Sequence, residues 1–214
     1  MKRRYILWLL LGAISLPSIA QNVIYSNLKQ LLTQDGDTVA VLRVEKRSRN
    51  QIVLSGGADY RITVAEDESM CRLLKKRCFA VRDEKGNLYL NCRKLRYKKL
   101  RFGAWYAPAV QLGKNIYFCA MPLGSVIGGN FVEEDDVKLG GNIGDALAAS
   151  SLVTKRVCYE LNGETGKVDF LGKDRMLQLL KNYPELKQAY LKDDSQEAKH
   201  TFKYLLELQN KQKK

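Results

Sequence analysis

Apolar positions along this chain recur mostly every second residue up to about residue 170, and mostly every third or fourth residue beyond it. The early part holds two helical exceptions. In "NVIYSNLKQLLTQDGD", Val23, Ile24, Leu28, Leu31 and Leu32 share a helical spacing that Gly36 ends, which predicts an N-terminal helix. "TVAVLRVEKRSRNQIVLSGGADYRITV" reads as strands separated by a polar turn at residues 48–50 and by Gly56 and Gly57. In "EDESMCRLLKKR", Met70, Cys71, Leu73 and Leu74 form an apolar side. The acidic start and basic end suit a helix dipole, so a short helix is expected.

"FAVRDEKGNLYLNC" predicts a hairpin whose register follows from its loop. With Glu84, Lys85 and Gly86 as a three-residue loop and Gly86 left-handed, Asp83 faces Asn87 and Arg82 faces Leu88. Counting outward sets Ala80 against Leu90 and Cys78 against Cys92. The last pair falls at a non-hydrogen-bonded position, where α-carbons lie about 4.5 Å apart, within disulfide reach. A Cys78–Cys92 disulfide is therefore expected. Cys71–Cys119 follows by elimination as a second pair, leaving Cys158 free.

Further along, Leu95 and Tyr97 share one strand parity and Leu100 and Phe102 the other, which places a bulge or tight bend at Lys98 and Lys99. "WYAPAVQLGKNIYFCAM" predicts a second hairpin turning at Gly113 and Lys114, with Pro108 putting its strand near a sheet edge. "RVCYELNGETGKVDFL" predicts a third, turning over residues 162–166. Two segments at helical spacing follow; Pro184 suits a first turn, and Asp194 with Glu197 forms a capping box for the last helix. The pattern is α+β: mainly an antiparallel sheet of consecutive hairpins, with an N-terminal helix and C-terminal helices packed against it. Residues 21–172 form the β-rich domain, and the helical segment 173–214 packs on it.

The opening "MKRRYILWLLLGAISLPSIAQ" adds a compartment. Lys2, Arg3 and Arg4 precede an apolar run and Pro17, and Ser18 and Ala20 are small, which reads as a signal peptide over residues 1–20 cleaved at Ala20–Gln21. The run is shorter than the roughly 20 apolar residues that span a bilayer, and no later stretch is long enough. The product is expected to be exported, periplasmic or extracellular, with no transmembrane span after signal removal. With 45% hydrophobic residues over its full length the chain can bury a core. Export favours disulfides over thiolate metal sites. No CxxC pair is present and His200 is the single histidine, so no metal site and no cofactor is indicated.

Charge changes the picture most. Without residues 1–20 the chain holds 33 Lys and Arg against 23 Asp and Glu, net +10. Residues 70–101 hold 12 basic and two acidic residues, also +10, so the rest of the mature chain balances. Concentrated charge draws anions. The candidate binding strip is Arg93, Lys94, Arg96, Lys98, Lys99 and Arg101, with Tyr97 and Trp105 beside it. Partners of matching chemistry are an anionic lipid headgroup, an acidic glycan or an acidic protein; nucleic acid is possible but not favoured. The alternative is a solvated face, or a strip that docks the chain's own acidic run Glu133, Glu134, Asp135 and Asp136.

Catalytic constellations are not evident. A triad would need His200, which sits in a charged terminal helix and reads as an exposed helical residue. The "GGN" triplets at 128–130 and 140–142 read as a surface loop and helix cap, since neither GxGxxG nor GxxxxGK[ST] is present. No catalytic residue is assigned. The expected function is a non-enzymatic exported binding or envelope-associated module. Its alternative is a hydrolase or transferase acting on envelope polymers through carboxylates.

"GDTVAVLRVEKRSRNQIVLSGGADYRI", "CRLLKKRCFAV", "LYLNCRKLRYKKLRFGAWYAPA", "IYFCAMPLG" and "YELNGETGKVDFLGKDRMLQLL" together resemble a family of uncharacterised exported proteins of Bacteroidales gut and oral bacteria. The resemblance covers nearly the whole mature chain. It implies an envelope or secreted location and brings no catalytic residues.

Overall fold

The computed structural model of this chain describes residues 21–65, 67–121, 156–193 and 198–213. Residues 1–20 with the expected signal peptide, the acidic and Gly-rich stretch within 122–155, and the expected Asp194–Glu197 capping box lie outside the described residues.

Three hairpins build the sheet. They are β5 (Ala80–Arg82) with β6 (Leu88–Asn91), β9 (Tyr106–Leu112) with β10 (Asn115–Ala120), and β11 (Val157–Leu161) with β12 (Val168–Phe170). They join side by side through β6–β9 and β10–β11, and β1 (Asn22–Tyr25) and β2 (Asp37–Val39) extend the sheet beyond β5. A branch of β3 (Arg43–Lys46) and β4 (Tyr60–Thr63) attaches where Tyr60 meets Tyr106. All ten strands pair antiparallel. The fold class is the expected α+β.

Both faces of the central strands are covered, which is why β6 and most of β10 are buried along their length rather than alternating. On one face Leu88, Leu90, Ala107, Phe118 and Tyr159 form a core closed by α1 (Leu28–Thr33) and by the segment from Leu95 to Phe102. On the other, α4 (Lys173–Leu179), α5 (Pro184–Lys192) and α6 (Ala198–Gln212) cover Val110, Tyr117 and Cys119, while α3 (Glu68–Lys76) covers Val81, Tyr89 and Tyr106. Pro184 stands in the first turn of α5 as expected.

The β5–β6 register is the one the loop predicts: Ala80 faces Leu90, Arg82 faces Leu88, and the Asp83 N–H donates to Asn87 O across a loop closed by left-handed Gly86. The disulfide expectations are overturned. The ladder stops at Asn91, a 3₁₀ turn over Cys92–Lys94 carries the chain away, and Cys78 and Cys92 enter the cores of opposite faces. Both are free, as is Cys71, whose thiol donates to Val64 O. The disulfide joins Cys119 to Cys158, so neither Cys71–Cys119 nor a free Cys158 holds.

Three local expectations also change. Val23 and Ile24 lie in β1, because Asn27 caps α1 only after them by accepting from Gln30 N. The segment read as a strand after residue 50 is helix α2 (Arg49–Ser55), begun by a capping box between Ser48 and Gln51. Pro108 is on a central strand, and the β9–β10 pairing stops beside it at Ala109, since Pro has no N–H to donate. The bend at Lys98 and Lys99 does exist, as a tight turn with Lys98 at φ 52° between β7 (Arg96–Tyr97) and β8 (Leu100–Arg101).

A basic hairpin and a tryptophan cleft

The β7–β8 hairpin is held to the sheet by its apolar side. Leu95 is buried, Phe102 meets Phe118 and Tyr159 edge-on at 5.3 and 4.8 Å, and Tyr97 meets Phe170 edge-on at 4.9 Å. Tyr97 therefore belongs to packing, with Lys98 Nζ lying 5.3 Å from its ring centre. The opposite side of the segment is cationic: Arg93, Lys94, Arg96, Lys98, Lys99 and Arg101 are all exposed. Arg96 and Arg101 face each other directly across the ladder, and none of the six has an ion-pair partner among the described residues. Like charges in that position oppose folding of the hairpin.

Trp105 separates from the rest of the strip. Its cationic neighbours are Arg47, Arg61 and Lys75, at 5.1, 5.7 and 5.6 Å from the ring centre. Such contacts over an indole are attractive. The residue holds φ 74°, a left-handed backbone costly for a bulky side chain, and the surroundings enforce it. Its carbonyl accepts from Cys92 N, and Ala104 O accepts from Ala58 N. Gly57, at φ 82°, lies so close that a Cβ there would sit 2.8 Å from Trp105 Cδ1.

Arg47 fixes one wall of this site. Buried at 7% exposure, its guanidinium donates to the carbonyls of Gln51, Gly56 and Ala58 and to Ser55 Oγ, tying the end of α2 to the loop before β4. Burial pushes its pKa below the ordinary value. Arg61 is placed by β4 opposite Glu45 of β3, and Lys75 by the last turn of α3. Trp105 and these strands enclose an open cleft of about 380 Å³, lined also by Lys46, Gln51 and Ser55. Arg61 and Lys75 make no ion pair and no hydrogen bond through their side chains among the described residues. Nearby Asp59 is clasped by Arg156.

The buried acid among the described residues is Glu160 on β11, at 9% exposure. It accepts two bonds from Arg175 of α4 at 2.8 Å, one from Tyr117 at 3.0 Å and one from Asn115 at 2.7 Å. Its lone pairs are thus engaged in a strut between two strands and a helix. The Arg175 guanidinium holds the Glu160 carboxyl below its ordinary pKa, while burial first and the Glu160 charge second push Tyr117 up to about 12. His200 is half-buried rather than exposed, with Nδ1 2.9 Å from the Asp193 carboxylate, which also accepts from Tyr204.

In the sequence Trp105 stands beside the strip, and nothing local marks Arg47, Arg61 and Lys75 as its neighbours. They come from the turn after β3, from β4 and from α3, which the Tyr60–Tyr106 bridge and the bonds from Ala58 N to Ala104 O and from Tyr106 Oη to Leu74 O bring to the start of β9.

These features define an α+β protein with a ten-stranded antiparallel sheet, an outward cationic hairpin and a cationic cleft floored by tryptophan. The chain belongs to the family of unknown function DUF6563, whose model matches residues 23–212. No curated protein and no solved structure matches it. Among the described residues no helix is long and apolar enough to cross a membrane.

Proposed function

We propose that this chain is an exported, envelope-associated module of a bacterial cell that works by binding an anionic partner rather than by catalysis. The observation that carries this reading is Arg96 facing Arg101, on a hairpin with Lys98 and Lys99 at its turn and Arg93 and Lys94 just before it, all exposed and without a carboxylate partner among the described residues. A hairpin kept only for packing gains nothing from opposed arginines, which weaken it. An anion placed between them would relieve the repulsion and be held by two guanidinium forks.

The test is binding of the chain to immobilised heparin and to phosphatidylglycerol vesicles over a salt series. Attraction among exposed charges is screened as the Debye length shrinks from about 10 Å at 0.1 M salt to 3 Å at 1 M. Affinity is expected to fall steeply with salt. Replacing Arg96, Lys98, Lys99 and Arg101 by Ser should abolish most of that dependence. Binding to neither probe, or binding that ignores both salt and the substitutions, sinks the reading. If binding rises sharply when Glu133, Glu134, Asp135 and Asp136 are replaced by Ser, the strip instead docks its own acidic run.

A further inference from the structure

The geometry points to the Trp105 cleft as a headgroup site for an anionic phospholipid, with Leu54 of α2 entering the interface beside it. This rests on the anionic-partner reading above and names the partner and a second contact region. Arg61 lines the cleft and Lys75, outside its lining, reaches to 5.6 Å from the indole centre; neither has an ion-pair or hydrogen-bond partner for its side chain among the described residues, which leaves both charges available to a phosphate at the indole. Arg47 adds charge that cannot swing away, because its donors are already bound to carbonyls. Glu45, the carboxylate lining the cleft, lies 3.6 Å from Arg43.

The choice of lipid over glycan rests on α2. Gln51 and Ser55 of this helix line the cleft, and between them Val53 and Leu54 face solvent at 44% and 86% exposure. A largely exposed leucine beside a cationic cleft lined by tryptophan combines the contacts that hold a protein at a lipid interface: apolar insertion, charge attraction and an amphipathic ring at headgroup depth. A glycan would need the indole face clear for stacking, and here cations lie over the ring.

The chain from Gln21 contains every described residue and the whole matched family segment, and without Trp8 its single tryptophan is Trp105. Its fluorescence therefore reads the site directly. Vesicles of phosphatidylglycerol mixed with phosphatidylcholine should shift Trp105 emission to the blue, and phosphatidylcholine alone should not. Arg61→Ser and Lys75→Ser should each weaken vesicle binding about fivefold and lower its salt dependence, since a cation near an anionic surface contributes about 1 kcal/mol. Leu54→Ser should weaken it about fivefold or more with the salt dependence unchanged. All three side chains are exposed, so the variants should keep the wild-type unfolding midpoint. Vesicle binding that leaves Trp105 emission and all three variants unaffected, yet is lost in the β7–β8 serine variant, overturns the cleft proposal and leaves the anionic-partner reading standing. An equal emission response to glycerol phosphate at the same phosphate concentration overturns the lipid assignment in favour of a free phosphate ester. No salt-dependent binding to any anionic probe overturns both.

Discussion

Cys119 of β10 stands directly opposite Cys158 of β11, 4.3 Å apart at their α-carbons, and the two sulfurs are joined across a sequence separation of 39 residues. The bridge closes a long loop, so it restricts the unfolded chain more than the folded one. The loop-entropy relation gives about 4 kcal/mol for this length. Urea unfolding with and without reductant should show a loss of that order. Peptide mapping without reductant should find Cys119 linked to Cys158.

The three remaining cysteines should differ in reactivity under native conditions. Cys92 is fully buried and its thiol is pushed up to about 12 by burial; Cys78 is 1% exposed and its pKa is raised for the same reason. Thiolate is the reactive form, so both should resist a maleimide until the protein unfolds. Cys71 is half-buried and should label first. Mass spectrometry of a labelling time course checks the order, and early labelling of Cys92 would contradict the described core.

How far the sequence revealed this arrangement can be judged from these same cysteines. The β5–β6 register is legible because loop length and one left-handed glycine set it locally. Cys78 escapes that logic at Phe79, whose N–H bonds Tyr25 O of β1 while its carbonyl accepts from Asn91 N, so the alternation of side chains breaks at the residue between the cysteine and β5. The cross-strand rule misapplied to Cys78 and Cys92 is obeyed by Cys119 and Cys158. Their strands are separated in the sequence by residues 121–156, so nothing local reveals that register. α2 was legible too, in the Ser48–Gln51 box, but strand-forming Ile52 and Val53 pulled the reading toward a strand. The cations around Trp105 were not legible, since their meeting depends on long-range contacts: the Tyr60–Tyr106 bridge, the Ala58 N–H to Ala104 O bond and the Tyr106 hydroxyl on Leu74 O of α3.

Arg47 should tolerate neither lysine nor methionine. Its fork serves four acceptors in different directions, and a single ammonium on a flexible stem cannot. Loss of about 2–4 kcal/mol is expected from stranded carbonyls and a released helix end. Hydrogen exchange should speed up in α2 and at Ala58 while β10 stays protected.

Gly57→Ala tests the enforced backbone at Trp105. The added Cβ would meet Ala104 O at 2.5 Å and Trp105 Cδ1 at 2.8 Å, at φ 82°. Clash and left-handed strain together should cost about 2 kcal/mol or more. The emission of Trp105 should change as well, and an unaltered spectrum with wild-type stability would contradict the geometry.

Acid should weaken the strut at Glu160. Hydrogen bonds from Arg175 hold its folded pKa below the ordinary 4.5. A carboxyl with a depressed folded pKa stabilises the fold above 4.5, and that stability is lost as pH falls from there through the lower folded value. Glu160→Gln removes the component. Because Arg175 is 41% exposed and can turn to water, the neutral-pH cost should be about 2 kcal/mol rather than that of a fully buried pair. Stability measured between pH 3 and 7 should be flatter in the variant than in the wild type.

The opposed arginines allow stability and binding to be pulled apart. Arg101→Glu places a carboxylate across from Arg96, turning a repulsive cross-strand pair into an attractive one, worth about 0.2–1 kcal/mol to the hairpin. A scaffold would simply benefit. A site for an anion would lose, because the substitution removes one guanidinium and fills the other, while repelling the ligand. The variant should therefore unfold at slightly higher urea than wild type and bind phosphatidylglycerol vesicles more weakly, with a smaller salt dependence. Raised salt should stabilise the wild type relative to this variant, since it screens only the wild-type repulsion. A variant that gains stability and keeps full binding would mark the opposed pair as a tolerated defect of the surface rather than part of a site.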